Sequence, residues 1–288
     1  MRPPYSLCGL TLVAALLGVA AAQEPAQPPG KDKEGLTGNA AKAAEFAAAE
    51  AVRYDIRDAD KEKVAFKLLP QPVLRWSNPT NGEVHGAVYL WTHEGCPQAA
   101  SSIYQLFHRN QLNIELVSLS QAALSAKRND RVSWSPEAGV KFAAFPDAPE
   151  PAATVEQRRF QMRALAGKFT GYLSEVGNEG KLTELRLLAR PLHSYAATDG
   201  SGREGAVFAL VTTNDPEIIL LIESRPVKGK REWVWAAARM HYRHLELKLA
   251  DKLVWEVPNA APPWDKIRGP LGTYVILQWA SAEEAAKD

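Results

Sequence analysis

Slid along itself by 119 residues, the chain matches itself. Leu68, Leu69, Pro72, Gly86, Ala87, Val88, Pro97 and Ile103 fall on Leu187, Leu188, Pro191, Gly205, Ala206, Val207, Pro216 and Ile222, eight identities in 36 ungapped positions. Chance pairing at average composition gives about two or three. Trp76 also meets Tyr195 and Tyr89 meets Phe208; after a two-residue insertion Leu124, Asp130 and Trp134 meet Leu245, Asp251 and Trp255. Such a repeat constrains the fold strongly, because each copy must build a similar supersecondary unit. A Gly-Ala-Val-aromatic run with Pro eleven residues after the Gly suits a hairpin. The glycine relieves crowding at a strand start, and the proline opens the next strand without losing a needed donor. The Pro-rich stretch PDAPEPAAT (146–154), the strongest internal punctuation, falls between the halves.

Two segments read as helices. Residues 40–54 open with eight Ala in twelve positions and have Asn39 available as N-cap. Residues 155–174 begin with the capping box Thr154-x-x-Gln157 and carry Met162, Leu165, Phe169, Tyr172 and Leu173 at helical spacing, with Gly177 as the stop. Strands are expected at 84–92, 205–212 and 217–223, which are almost continuously apolar, and at 112–119 and 245–249, which alternate with period two. Helices and strands are segregated, with no βαβ alternation, so the class is α+β with antiparallel sheet. The expected architecture is two tandem similar repeats, each one helix followed by a curved antiparallel sheet, packed as a pseudo-dimer. The first spans 39–145, the joint 146–154, the second 155–279 and a helical tail 280–288.

Residues 1–22 read as a secretory signal: Arg2 is basic, Leu10–Val19 apolar and Ala20-Ala21-Ala22 a cleavage site. A flexible Pro/Gly-rich leader, 23–38, follows. The apolar run is too short for a good membrane span, and Cys8 lies upstream of it, where a lipid anchor would not be attached. The expected location is therefore the periplasm, envelope or exterior, without stable membrane insertion. The full chain has 34 basic and 33 acidic side chains. Losing Arg2 with the signal leaves 33 of each. That balance argues against nucleic acid or anionic lipid as partner. The mature chain would keep one cysteine, Cys96, so no internal disulfide can form and the core alone must hold the fold. At this length folding buries roughly 70% or more of the unfolded surface, which suffices.

Recognisable catalytic patterns are absent: no Gly-rich phosphate loop, no H-E-x-x-H, no G-x-S-x-G and no C-x-x-C. No cofactor is indicated. His85, His93 and Cys96 cluster in HGAVYLWTHEGC, and His93 and Cys96 flank one turn, so they are candidate binding residues. A metal wants more ligands than this. The bland reading is a turn histidine and a half-buried thiol. The corresponding positions in the other half are Glu204, Thr212 and Asp215, so the cluster is not duplicated. His241 and His244 form H-x-x-H, but strand spacing puts them on opposite faces, and surface histidines at a strand end are expected. Among eight tryptophans, Trp233 and Trp235 share a face and Trp134 and Trp255 match across the repeat, all read as packing. Trp264 and Trp279 lie beyond the matched positions of the repeat and are the remaining candidates for stacking on a ligand. Arg158-Arg159 and the Lys228, Lys230, Arg231 group read as solvated surface.

The segments LRWSNPTNGEVHGAVYLWT, ELVSLS, QMRALAGKF, GAVFALVTTNDPEIILLIESR and WAAARM resemble an uncharacterised family of exported bacterial proteins of the planctomycete type, over roughly residues 65–257. The resemblance implies no activity and assigns no residue a role.

The leading expectation is a non-enzymatic binding or cell-envelope interaction protein with an envelope or extracellular ligand. The alternative is a hydrolase or other enzyme with its site between the two halves. They differ in one observable: an enzyme gathers titratable side chains from both halves in one deep pocket.

Overall fold

The computed structural model describes residues 36–61, 64–79 and 82–287; the expected signal and nearly all of the leader lie outside them. Helix α1 (Gly38–Ala51) leads into β1 (Tyr54–Asp58), β2 (Lys67–Leu68) and β3 (Leu74–Ser77). A meander follows, β4 (Val84–His93), β5 (Cys96–Leu106) and β6 (Gln111–Ser118), then β7 (Leu124–Arg128), β8 (Arg131–Trp134) and β9 (Ala143–Ala144). Helix α2 (Val155–Ala166) opens a second series: β10 (Phe169–Glu175), β11 (Asn178–Leu187), β12 (His193–Ala196), β13 (Glu204–Val211), β14 (Pro216–Val227) and β15 (Lys230–Arg239). The chain closes with β16 (Leu245–Leu249), β17 (Lys252–Val257), α3 (Asp265–Arg268), β18 (Tyr274–Trp279) and α4 (Ala282–Lys287).

The described ladders are antiparallel, in an α+β arrangement dominated by curled sheet. One sheet runs β18-β6-β5-β4-β2 with β3 also on β4; another runs β17-β16-β10-β11-β13-β14-β15-β9 with β12 on β13; a third is β1-β7-β8. Period-two alternation splits each long strand between two layers. Val88, Leu90 and Ala100 from β4 and β5 join Val207, Ala209, Ile219 and Leu221 from β13 and β14 in one layer between the sheets. The opposite face, with Tyr89, Trp91 and Ile103, is covered by Ala47 and Ala51 of α1 and by Ile56 and Trp134. On the other sheet Phe208, Leu220 and Ile222 are covered by Met162 and Leu165 of α2. These antiparallel strands read as continuous apolar runs because both faces are buried.

Several local features recur at matching distances. Trp76 pairs with Gly86, and Tyr195 with Gly205; at both glycines a Cβ would strike the partner's ring, at 2.5 Å and 2.4 Å. Register shifts occur at Trp91/Thr92 and Leu210/Val211, and again at Ala126/Lys127 and Leu247/Lys248. Two turns carry consecutive left-handed residues, Asn129 and Asp130 (φ 48° and 65°) and Ala250 and Asp251 (φ 46° and 66°).

Three expectations need correction. Helix α1 is capped at Thr37 without a side-chain bond, and Asn39 instead donates to Glu83 at 2.9 Å. The second helix stops at Ala166; Thr154 does accept from Gln157 N–H, but 169–175 is a strand. Phe169 and Leu173 are four apart, which fits a helix face, yet with Gly171 between them they also fit a strand's inward face. Gly171 packs so closely that a Cβ would lie 2.8 Å from Leu210 Cδ2. Arg158 is not surface: it is 5% exposed, pairs with Glu204 and donates to the carbonyls of Ala152 and Ala153. The tail helix docks through buried Ala285, whose carbonyl accepts from Arg53 and Arg128.

Candidate functional site: a carboxyl-lined cavity between the sheets

Near the point where β13 turns into β14 and β15 ends, the space between the sheets opens into a cavity of about 570 Å³. Its wall takes Trp76, Tyr104, Asn113 and Glu115 from the N-terminal sheet strands, Asp215 from the β13–β14 turn, His241 from the loop after β15, and Ile276 and Gln278 from β18. Local structure explains who faces in. In β6, Leu112, Ile114 and Leu116 fill the layer under α1, so Asn113 and Glu115 must point the other way. The period-two pattern of 112–119 is therefore real, but its polar face meets the cavity and not solvent. Arg239 organises the next loop, its guanidinium donating to the carbonyls of His241, Tyr242, Arg243 and Pro258 at 2.8–3.0 Å.

Two carboxyl groups line it, Glu115 and Asp215, and a third, Glu217, lies behind Thr212 and His241 of the wall. Glu115 is 5% exposed, and its Oε1 accepts from Tyr274 Oη at 2.9 Å and Tyr104 Oη at 3.3 Å. Burial pushes it up to about 8; the Tyr274 bond opposes this and the Glu217 charge adds to it. Glu217, 3% exposed, accepts from Thr212 Oγ1 at 2.7 Å. Burial pushes it up to about 7, against the Thr212 bond and the Arg243 charge. Its other oxygen, Oε2, is buried without a hydrogen bond and lies 4.0 Å from His241 Nε2. Asp215 is raised well above the usual carboxylate range by burial, then by Glu217 and Glu115. Burying a carboxyl disfavours its charged form, so protons are held here near neutral pH.

His241 behaves oppositely. Burial, then Arg243 and Arg239, lower it to about 3, so the ring is neutral. Its Nδ1 accepts the Arg243 N–H at 3.0 Å, which leaves the proton on Nε2, the atom facing Glu217. The expected strand-end surface histidine is thus a half-buried loop residue of this wall.

The residues singled out from sequence distribute differently. Trp264 lines the cavity and is 40% exposed, packed on Tyr242 with ring centroids 4.8 Å apart. Trp279 is buried in the layer under α1, with the Arg128 guanidinium 4.8 Å from its ring centroid. His93 and Cys96 are register partners, yet His93 stacks on Phe66 while Cys96 is buried in the inter-sheet layer. Burial pushes the Cys96 thiol up to about 11, the reverse of an activated thiolate. Glu115, Glu217 and Asp215 escaped sequence reading. Their one signal was a carboxylate inside an otherwise apolar strand or at its start.

A second titratable group, His244, Glu246 and Glu256, lies on the outer face of β16 and β17, with His244 Nε2 3.0 Å from Glu256. Lys248 already faces Glu246 at 3.9 Å, and the trio forms a surface ion network. Comparison with protein-family profiles, curated proteins and solved structures returned no match.

Proposed function

We propose that the protein is an exported acid–base enzyme, of hydrolase type, whose active site is the inter-sheet cavity. The observation that carries this reading is that Glu115 from one sheet and Asp215 from the β13–β14 turn line one cavity, with Glu217 just behind its wall and burial favouring the protonated forms of all three. Perturbed carboxyls in a cleft are the hallmark of groups poised to give and take protons. Glu115 is the proton donor: its Oε1 accepts from two tyrosine hydroxyls, so its proton sits on Oε2. Asp215 and Glu217, pushed upward together, act as a pair that holds one proton and accepts another. Thr212, donating to Glu217 Oε1 at 2.7 Å, orients Glu217, and neutral His241 faces its other oxygen. We prefer this to the non-enzymatic binding reading, which rested on export, the lack of a disulfide and of recognised catalytic motifs, and aromatic-rich strands.

We also propose that the halves arose by duplication and pack as a pseudo-dimer, and that the chain belongs to the exported planctomycete-type family it resembles. The matched glycine–aromatic pairs, register shifts and left-handed turns support the duplication. Under the same offset, Asp215 and Glu217 stand where the first half has Cys96 and Gln98, and after the insertion His241 stands at Ser120. The acid–base site is thus a specialisation of one of two equivalent positions.

The test is a hydrolytic screen of esters, glycosides and peptides between pH 5 and pH 9 with the wild type and Glu115→Gln. Loss of a general acid removes roughly 10²–10⁴ in rate. A substrate turned over equally well by the variant would overturn the assignment of Glu115, and no turnover of any class would overturn the enzyme reading.

A further inference from the structure

Resting on the cavity as the functional site, we infer that its ligand is a neutral, polyhydroxylated molecule of the saccharide class that stacks on Trp264. Tryptophan is usually largely buried, yet Trp264 keeps 40% of its surface open at the wall of a polar cavity. Tyr242 packs against it at 55° between ring planes, so one indole face is held in place with little freedom left to lose on binding. A sugar ring presents C–H groups to such a face and hydroxyls around its edge.

The polar lining suits those hydroxyls. Gln111 and Asn113 both line the cavity and are fixed relative to each other by Gln111 Nε2 donating to Asn113 Oδ1 at 2.8 Å. An amide offers donor and acceptor together, as a hydroxyl does. Glu115 does the same while it keeps its proton. A cationic ligand needs ionised carboxylates, which burial opposes here. A strongly anionic ligand would meet Asp215 as well as Arg109 and Arg243. At about 30 Å³ per water, the cavity of about 570 Å³ displaces roughly nineteen waters, room for a ligand of disaccharide size.

The experiment is calorimetric titration of the full mature chain with maltose, cellobiose, xylobiose and N,N′-diacetylchitobiose, against glucuronate, glucosamine, dialanine and inorganic phosphate. At least one neutral disaccharide should bind, and Trp264→Ala should weaken it about tenfold, the loss of one aromatic contact. Gln111→Ala should weaken it too. The inference falls if no neutral disaccharide binds, if a charged probe binds more tightly than all of them, or if Trp264→Ala binds like wild type. Its failure is separable from that of the enzyme proposal. Saccharide binding without any hydrolysis sinks only the catalytic reading; Glu115-dependent hydrolysis of an ester or peptide without saccharide binding sinks only this one.

Discussion

Replacing Glu115 with Gln isolates the cost of burying an acid in the cavity. The folded carboxyl holds its proton up to about 8, against an ordinary value of 4.5. Between pH 5 and pH 7 the unfolded chain has therefore lost the proton while the folded protein keeps it. The folded state then binds more protons, so stability falls as pH rises, by about 1.4 kcal/mol for each pH unit per group. Over this interval Glu115 alone removes about 3 kcal/mol, a large share of a typical 5–15 kcal/mol total. Gln has nearly the same shape, accepts from Tyr104 and Tyr274, and cannot ionise. Asp215 and Glu217 titrate in both proteins, so their contributions largely cancel in the difference. Urea denaturation followed by tryptophan fluorescence at pH 5, 6 and 7 should show the variant gaining about 3 kcal/mol on the wild type across the series. Two stability curves running parallel from pH 5 to pH 7 would mean that Glu115 is ionised throughout, and the general-acid role would go with it.

The close glycine–aromatic contacts make a second prediction. Gly86→Ala and Gly205→Ala place a Cβ 2.5 Å from the Trp76 ring and 2.4 Å from the Tyr195 ring, and each should destabilise by about 1–3 kcal/mol through overpacking. Gly180→Ala, with its nearest atom 3.9 Å away, serves as control; equal denaturation midpoints for all three would discredit the packing argument. Cys96 makes a third. Buried at 2% and with its thiol at about 11, it should resist an aromatic disulfide reagent at pH 8 in a Cys8→Ser chain and react fully in urea. Rapid labelling of the native protein would show the thiol to be accessible and activated after all.

Much of the fold was readable because local chemistry dictates it. The hairpin strands announced themselves as Val- and Ile-rich runs bounded by Gly and Pro, and Thr154 capped its helix as its side chain requires. The 155–174 segment misled because residues four apart share a face in both helix and strand; only pairing with β11 and β16 decided between them. Arg158 misled because a pair of arginines looks solvated until Glu204, 46 residues on, is brought against it.

The sequence by itself determined the segregated α+β class, the self-match at 119 residues and the single cysteine beyond the first eight residues, since composition and spacing are properties of the chain. What only the tertiary structure decided was the site. Glu115 sits in one sheet, Glu217 in the other and Asp215 in the turn just before it, about a hundred residues away. None has a neighbour in sequence that marks it. Their altered acidity comes from burial between two packed sheets and from one another's charge, and neither exists until the sheets meet.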